Sequence, residues 1–228
     1  IFCGFSDSTS LLNVINLKTG LVTFHGPTFK SLTSWETDYG FKEVIKRFVD
    51  LNLELGMPDD EYTVIKYGKY GKHEEYGKSD KNKKSDYSDI NENSVVQGEL
   101  IGGNLSLVRE LVTGKYCLDF TDKILFIEEL GFESDPEMVS NYIYFMLQNG
   151  VFDKIKGLWI GNYEHESGIS LEKIVTDVIG DIYNFPIIKS NNFGHTDRKT
   201  VIPIGIKACI DTNSDTKIRL VEKCVKNV

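Results

Sequence analysis

The first candidate for chemistry in this 228-residue chain is Ser6, in Gly4-Phe5-Ser6-Asp7. It follows the apolar run that opens the chain and precedes Leu11, Leu12 and Ile15, whose spacing is helical. A serine on a sharp strand-to-helix turn exposes its Oγ, and the next backbone N–H points to where an oxyanion would form. The N-terminus of the helix adds partial positive charge, worth about 0.3–1 kcal/mol to an anion. The second glycine of G-x-S-x-G is missing, so Ser6 also reads as an ordinary helix N-cap.

A nucleophilic serine needs a base, and the chain has four histidines. His73 falls in a Lys/Tyr-rich segment and His165 in a polar loop, which suits solvated side chains. His25 ends an apolar run before Gly26-Pro27 and reads equally as structural or functional. His195 lies in Asn191-Asn192-Phe193-Gly194-His195-Thr196, a polar loop between apolar strands, where catalytic side chains concentrate. A carboxylate to orient the imidazole is offered by Glu128, directly after Ile124-Leu125-Phe126-Ile127, at the carboxyl end of a strand where α/β clefts open. Its neighbour Glu129 should point to the opposite face.

Other constellations are weaker. Gly102-Gly103-Asn104 before a helix reads as a tight turn or an anion-binding turn, but no G-x-x-x-x-G-K-[ST] or G-x-G-x-x-G is present. No H-E-x-x-H or paired Cys/His set points to a metal, and Cys3, Cys117, Cys209 and Cys224 read as thiols in a reducing cytosol.

The elements that must position these groups alternate between the two periods. A short strand over residues 1–5, a helix to Lys18, and a strand over 21–25 come first. Phe41, Val44, Ile45, Phe48 and Val49 then mark an amphipathic helix, with Lys42, Glu43, Lys46 and Arg47 facing elsewhere. Strands are expected over 95–101, 123–127, 158–160, 186–189, 201–210 and 218–221, and helices over 105–112, from Ser134-Asp135-Pro136 to Gly150, and over 170–179. This alternation predicts an α/β fold.

Composition narrows the function classes. The formal charge of −8 argues against a nucleic-acid protein, and no apolar stretch is long enough to span a membrane. Residues 66–84 are the exception: seven lysines against three acids, with Tyr-Gly-Lys beginning at Tyr67, Tyr70 and Tyr76. The rest of the chain then carries −12. The segment reads as a solvated loop or as a surface that stacks bases. The chain opens at Ile1 inside an apolar run, which reads as a fragment or a processed piece.

Taken together the segments resemble the LD-carboxypeptidases and their MccF-like (microcin C immunity) relatives. The resemblance rests on Gly4-Phe5-Ser6-Asp7, residues 18–27 ending in His25-Gly26-Pro27, and residues 98–107 around Gly102-Gly103-Asn104. It continues through residues 124–129, residues 150–153, Phe193-Gly194-His195-Thr196 and Ile202-Pro203-Ile204-Gly205, in family order. It implies a Ser-Glu-His triad of Ser6, Glu128 and His195, with the N–H of Asp7 in the oxyanion hole. The family usually has Glu-Asp where this chain has Glu128-Glu129, which leaves the triad acid open between the two.

The resemblance further implies a division into residues 1–50, the last strand-helix elements of a truncated N-terminal α/β domain, residues 51–94, a linker and loop, and residues 95–228, a C-terminal α/β domain of the LD-carboxypeptidase type. Without the preceding segment, this chain alone is expected to be inactive or very slow. The implied activity is that of a cytoplasmic, homodimeric serine peptidase with no cofactor. Its substrate would be a murein tetrapeptide, cut at an L–D bond, or a peptidyl or aminoacyl nucleotide, with Tyr67, Tyr70 and Tyr76 as substrate-binding candidates. The other class of answer is an inactive module that binds a peptide or partner.

Overall fold

The computed structural model describes residues 1–33, 38–68 and 95–225. In chain order the elements are β1 (Cys3–Gly4), α1 (Ser8–Thr19), β2 (Thr23–His25), α2 (Phe29–Thr33), α3 (Tyr39–Phe48), β3 (Thr63–Lys66), β4 (Val95–Asn104) and α4 (Leu105–Glu110). They continue with β5 (Ile124–Glu128), α5 (Pro136–Gln148), β6 (Gly157–Ile160), α6 (Leu171–Ile179), β7 (Ile187–Lys189), β8 (Ile202–Ile204), β9 (Lys207–Asp211) and β10 (Ile218–Leu220). The fold is α/β, as the alternation predicts.

A seven-stranded sheet runs β10-β9-β4-β5-β6-β7-β3, and a three-stranded sheet runs β1-β2-β8. The centre of the larger sheet, β4 to β7, is parallel, and its flanking pairs are antiparallel. Side chains of β5 alternate between two cores. Leu125 and Ile127 pack with Val139, Ile143, Met146 and Val175 from α5 and α6. Ile124 and Phe126 pack with Leu12, Trp159, Phe193 and Ile202 on the opposite face. Burying a side chain such as Phe126 completely is worth about 1.5–3 kcal/mol, and this alternation fixes which way the last residue of the strand points.

Helix termini follow the expected chemistry. The Asp135 side chain accepts from Met138 N and Pro136 occupies the first turn of α5, while Ser170 caps α6 by accepting from Lys173 N.

Four features differ from the sequence reading. The residues Gly102-Gly103-Asn104 are the end of β4, paired with Phe126, Ile127 and Glu128, and not a turn. The apolar stretch 201–210 is two strands in two sheets, β8 beside β2 and β9 beside β4, separated at Gly205 with φ 87°. The stretch read as a linker contains β3, which forms the sheet edge against β7.

The fourth difference is α3, which forms as expected but buries its charged side. Glu43, Lys46 and Arg47 are buried, while Phe41 and Val49 are 59% and 64% exposed. The reason lies in what the helix covers. Arg47 donates to the carbonyls of Asn52, Glu54 and Val201, Lys46 donates to that of Gly56, and Glu43 accepts from Val201 N at 3.0 Å. These main-chain groups belong to an irregular segment and a strand entrance, and a buried polar group without a partner is costly. Arg47→Met should therefore lower the unfolding free energy by about 3–5 kcal/mol, the cost of breaking a buried charged network. Urea denaturation checks this, and an unchanged midpoint would contradict it.

Candidate active site

Ser6 sits between β1 and α1 with φ 57°, a conformation uncommon for a residue with a side chain. The N-cap position of α1 is Asp7, so the N-cap reading of Ser6 does not hold. The turn is tightened by Ser8 N to Phe5 O and Thr9 N to Ser6 O, at 3.2 and 2.8 Å.

Asn13 and Thr9 of α1 tie this turn to the end of β4, whose neighbour in the sheet is β5. Asn13 of α1 donates to Gly102 O at 2.9 Å and accepts from Gly102 N, and Thr9 Oγ1 accepts from Asn104 N at 3.0 Å. A Cβ on Gly103 would lie 2.6 Å from Thr9 Oγ1, so the glycine is what lets α1 lie against the end of β4. Asn104 caps α4 by accepting from Leu107 N, so the turn reading of this tripeptide gives way to a docking and capping role.

Ser6, His195 and Glu128 form one hydrogen-bonded chain. His195 Nε2 lies 3.1 Å from Ser6 Oγ, and His195 Nδ1 lies 2.7 Å from Glu128 Oε2, which also accepts from His195 N at 3.1 Å. An ionised carboxylate is acceptor only, which puts the imidazole proton on Nδ1 and leaves Nε2 to accept from the serine hydroxyl. Glu128 is fully buried. Burial by itself would raise its pKa, but the hydrogen bond from His195 and the nearby imidazoles of His195 and His25 outweigh this and hold it well below the usual carboxylate range. For His195, burial by itself would lower the pKa, and the hydrogen bond and charge of Glu128 turn the net shift upward.

The strand period sends Glu128 and Glu129 to opposite faces. Glu128 continues the Phe126 face toward Phe193 and His195. Glu129 turns to α4, where its carboxylate accepts from Asn104 Nδ2 and Leu130 N at 2.8 Å and from Ser106 N at 2.9 Å.

The loop carrying His195 is held from several sides. Gly194 has φ 95°, and a Cβ there would lie 2.5 Å from Glu128 Oε2, so only glycine lets the loop close on the carboxylate. Asn162 donates to His195 O at 2.8 Å. Asn192 donates to Asp60 Oδ2 at 2.8 Å, and Asp60 also accepts from Tyr39, Met57 N and Arg198. The sequence reading did not find Asn162, Asp60 or Asn192, since polar residues in loops give no periodic signal. A polar cleft of about 300 Å³, lined by Asp59, Asp60, Lys189, Asn192 and Arg198 among others, opens beside this loop.

Tyr67 is half exposed and directly follows β3, the edge strand three places from β5. Tyr70, Tyr76 and His73 lie outside the described residues. His165 bonds Ser167 in its own loop at 2.8 Å. His25, left open by the sequence, is buried beside Glu128, its Nε2 3.9 Å from Oε1. Among the described residues no group of three or more His, Cys, Asp or Glu could hold a metal ion, and no helix is long and apolar enough to cross a membrane.

A serine, a histidine and a buried glutamate in one hydrogen-bonded chain, at strand ends of an α/β fold, is the arrangement of the serine hydrolase class. Residues 97–210 match the LD-carboxypeptidase C-terminal domain, and the chain belongs to that family. The Bacillus subtilis (strain 168) protein YocD is 27% identical over 227 residues, covering 98% of this chain and 67% of that protein. Among solved structures, microcin C7 self-immunity protein MccF in complex with aspartyl sulfamoyl adenosine is similar, with a TM-score of 0.73 at 22% identity over 99% of this chain and 68% of that one. The muramoyltetrapeptide carboxypeptidase from Oxalobacter formigenes is also similar, with a TM-score of 0.67 at 21% identity over 96% and 67%. At these identities the two structural likenesses speak to the fold. The chain spans about two thirds of the length of these relatives.

Proposed function

We propose that this chain carries the catalytic centre of a serine amide hydrolase of the LD-carboxypeptidase and MccF-like kind, with Ser6 as nucleophile, His195 as general base and Glu128 as the acid that orients it. The observation that carries the reading is the unbroken chain from Ser6 Oγ through His195 to Glu128 Oε2, at 3.1 and 2.7 Å. In the first half-reaction Ser6 Oγ attacks the amide carbonyl as its proton passes to His195 Nε2. The oxyanion is met by the N–H of Asp7, beside the positive end of α1. The imidazolium then protonates the leaving amine and the C–N bond breaks, giving an acyl-enzyme. Water, deprotonated by His195, releases the acid and restores Ser6. Glu128 remains ionised throughout and stabilises the imidazolium.

The substrate in this reading is a small peptide-like amide. Two kinds follow from the relatives: a murein tetrapeptide, cut at its terminal L–D bond, and an aminoacyl or peptidyl nucleotide, for which Tyr67 and the tyrosines after it are the base-stacking candidates. The polar cleft beside the His195 loop suits a charged substrate of either kind. Mass spectrometry of products from a murein tetrapeptide and from an aminoacyl sulfamoyl adenosine, incubated in parallel with the whole protein, tests this. Cleavage of one of them that is lost in Ser6→Ala is the expected result. Binding of both with cleavage of neither would overturn the reading and leave a peptide-binding module.

A further inference from the structure

His25 is a buried titratable group that faces Glu128 and that the mechanism above does not use. It ends β2, in register with Gly4 of β1 and Ile202 of β8, so its backbone is fixed on both sides. The imidazole is 1% exposed and lies among the rings of Phe5, Phe126 and Phe193, at centroid distances of 6.5, 5.5 and 6.1 Å. Among the described residues neither ring nitrogen has a hydrogen-bond partner, and the same is true of Glu128 Oε1. These two unpartnered groups face each other, Nε2 to Oε1 at 3.9 Å. The other carboxylate oxygen already takes two donors from His195.

We propose that His25 is a positioning residue for Glu128, its Nε2–H donating to Oε1 so that Oε2 stays directed at His195 Nδ1. The proposal rests on the reading of Ser6, His195 and Glu128 as the acyl-transfer centre. An unsatisfied buried polar group is costly, and a small rotation of either side chain satisfies Nε2 and Oε1 at once. A carboxylate pinned at one oxygen cannot turn its plane away from His195, so the base keeps its tautomer and its aim at Ser6. Both imidazoles favour the ionised carboxylate, in line with the lowered pKa of Glu128.

The test compares His25→Phe, which withdraws the donor and keeps the volume, with His25→Gln, whose amide N–H can replace Nε2–H. His25→Asn, polar but too short to reach, serves in place of the phenylalanine variant if that one does not fold. Two readouts on the whole protein are taken: the low-field proton resonance of His195 Nδ1–H below its titration midpoint, and kcat and KM separately. His25→Phe, or His25→Asn, should shift the resonance upfield or lose it to exchange and lower kcat about tenfold or more at unchanged KM. His25→Gln should keep both near wild type. A wild-type resonance and kcat in the donor-less variant, or equal damage in His25→Gln, would overturn the proposal. Ser6→Ala run alongside separates the two levels: if it turns over normally the acyl-transfer reading fails, whereas if it is dead and the resonance ignores His25, only the role of His25 fails.

Discussion

Replacing Ser6 with alanine should lower turnover of the cleaved amide by about 10⁴-fold or more, the scale on which triad nucleophiles act. The argument is geometric. Ser6 Oγ is the hydroxyl that His195 Nε2 faces, at 3.1 Å, on a turn whose φ of 57° aims it out of the strand-to-helix corner. Alanine keeps that backbone and loses one hydrogen bond to a half-buried partner, so the protein should stay folded with a stability change within about 1 kcal/mol. KM should change little, because the hydroxyl acts in the transition state and contributes little to ground-state binding. Steady-state kinetics with matched thermal melts checks this, and near-wild-type kcat in folded Ser6→Ala protein would contradict it.

Glu128→Gln should cost about 10³–10⁴-fold in kcat, comparable to removing the buried acid of other triads. Glutamine has the same shape, so the packing against Phe126 and Gly194 is retained and the lost charge is what is read. Its amide can present N–H to His195 Nδ1, which favours the wrong tautomer, with the proton on the nitrogen that faces Ser6.

The same substitution moves the pH profile in a direction the structure fixes. General-base work needs neutral His195, and Glu128 holds its pKa above the ordinary 6.5. Activity of the native protein should therefore fall away as pH drops through a midpoint above 6.5, and in Glu128→Gln that midpoint should move down. Stability follows a different window. The depressed Glu128 contributes stability that is present above its unfolded value near 4.5 and lost as pH falls through the folded value. The raised His195 contributes stability that is fully present below 6.5 and lost as pH rises through its folded value. The pair thus supports the fold most between about pH 4.5 and 6.5, below the range in which it is active. Thermal melts across pH, native against Glu128→Gln, should show the difference largest in that window.

Much of the centre was legible because it lies at the ends of short, well-marked segments. Four apolar residues before Glu128 read as a strand, and the strand period alone sends Glu128 and Glu129 to opposite faces. The change of period after Phe5 places Ser6 on a turn. What could not be read is contact between distant segments. Asn13 and Thr9 meet Gly102 and Asn104 only because β4 continues through two glycines that, in isolation, read as a turn. Helix α3 carries an apolar stripe with ideal spacing, yet Glu43 and Arg47 go inward because carbonyls at residues 52 and 54 and the backbone of Val201 need partners. Strand β3 is a short run inside a polar stretch, and its pairing with β7 gives no local signal. The same holds for Asp60 and Asn192, 132 positions apart and joined at 2.8 Å behind the His195 loop.

The central claim is that Ser6 is a nucleophile activated by His195. A fluorophosphonate probe, followed by digestion and mass mapping of the adduct, measures this directly. The account expects a single phosphonylated serine at position 6, with labelling strongly reduced in His195→Ala. No adduct at Ser6 in folded protein, or labelling of Ser6 that is the same with and without His195, would contradict it.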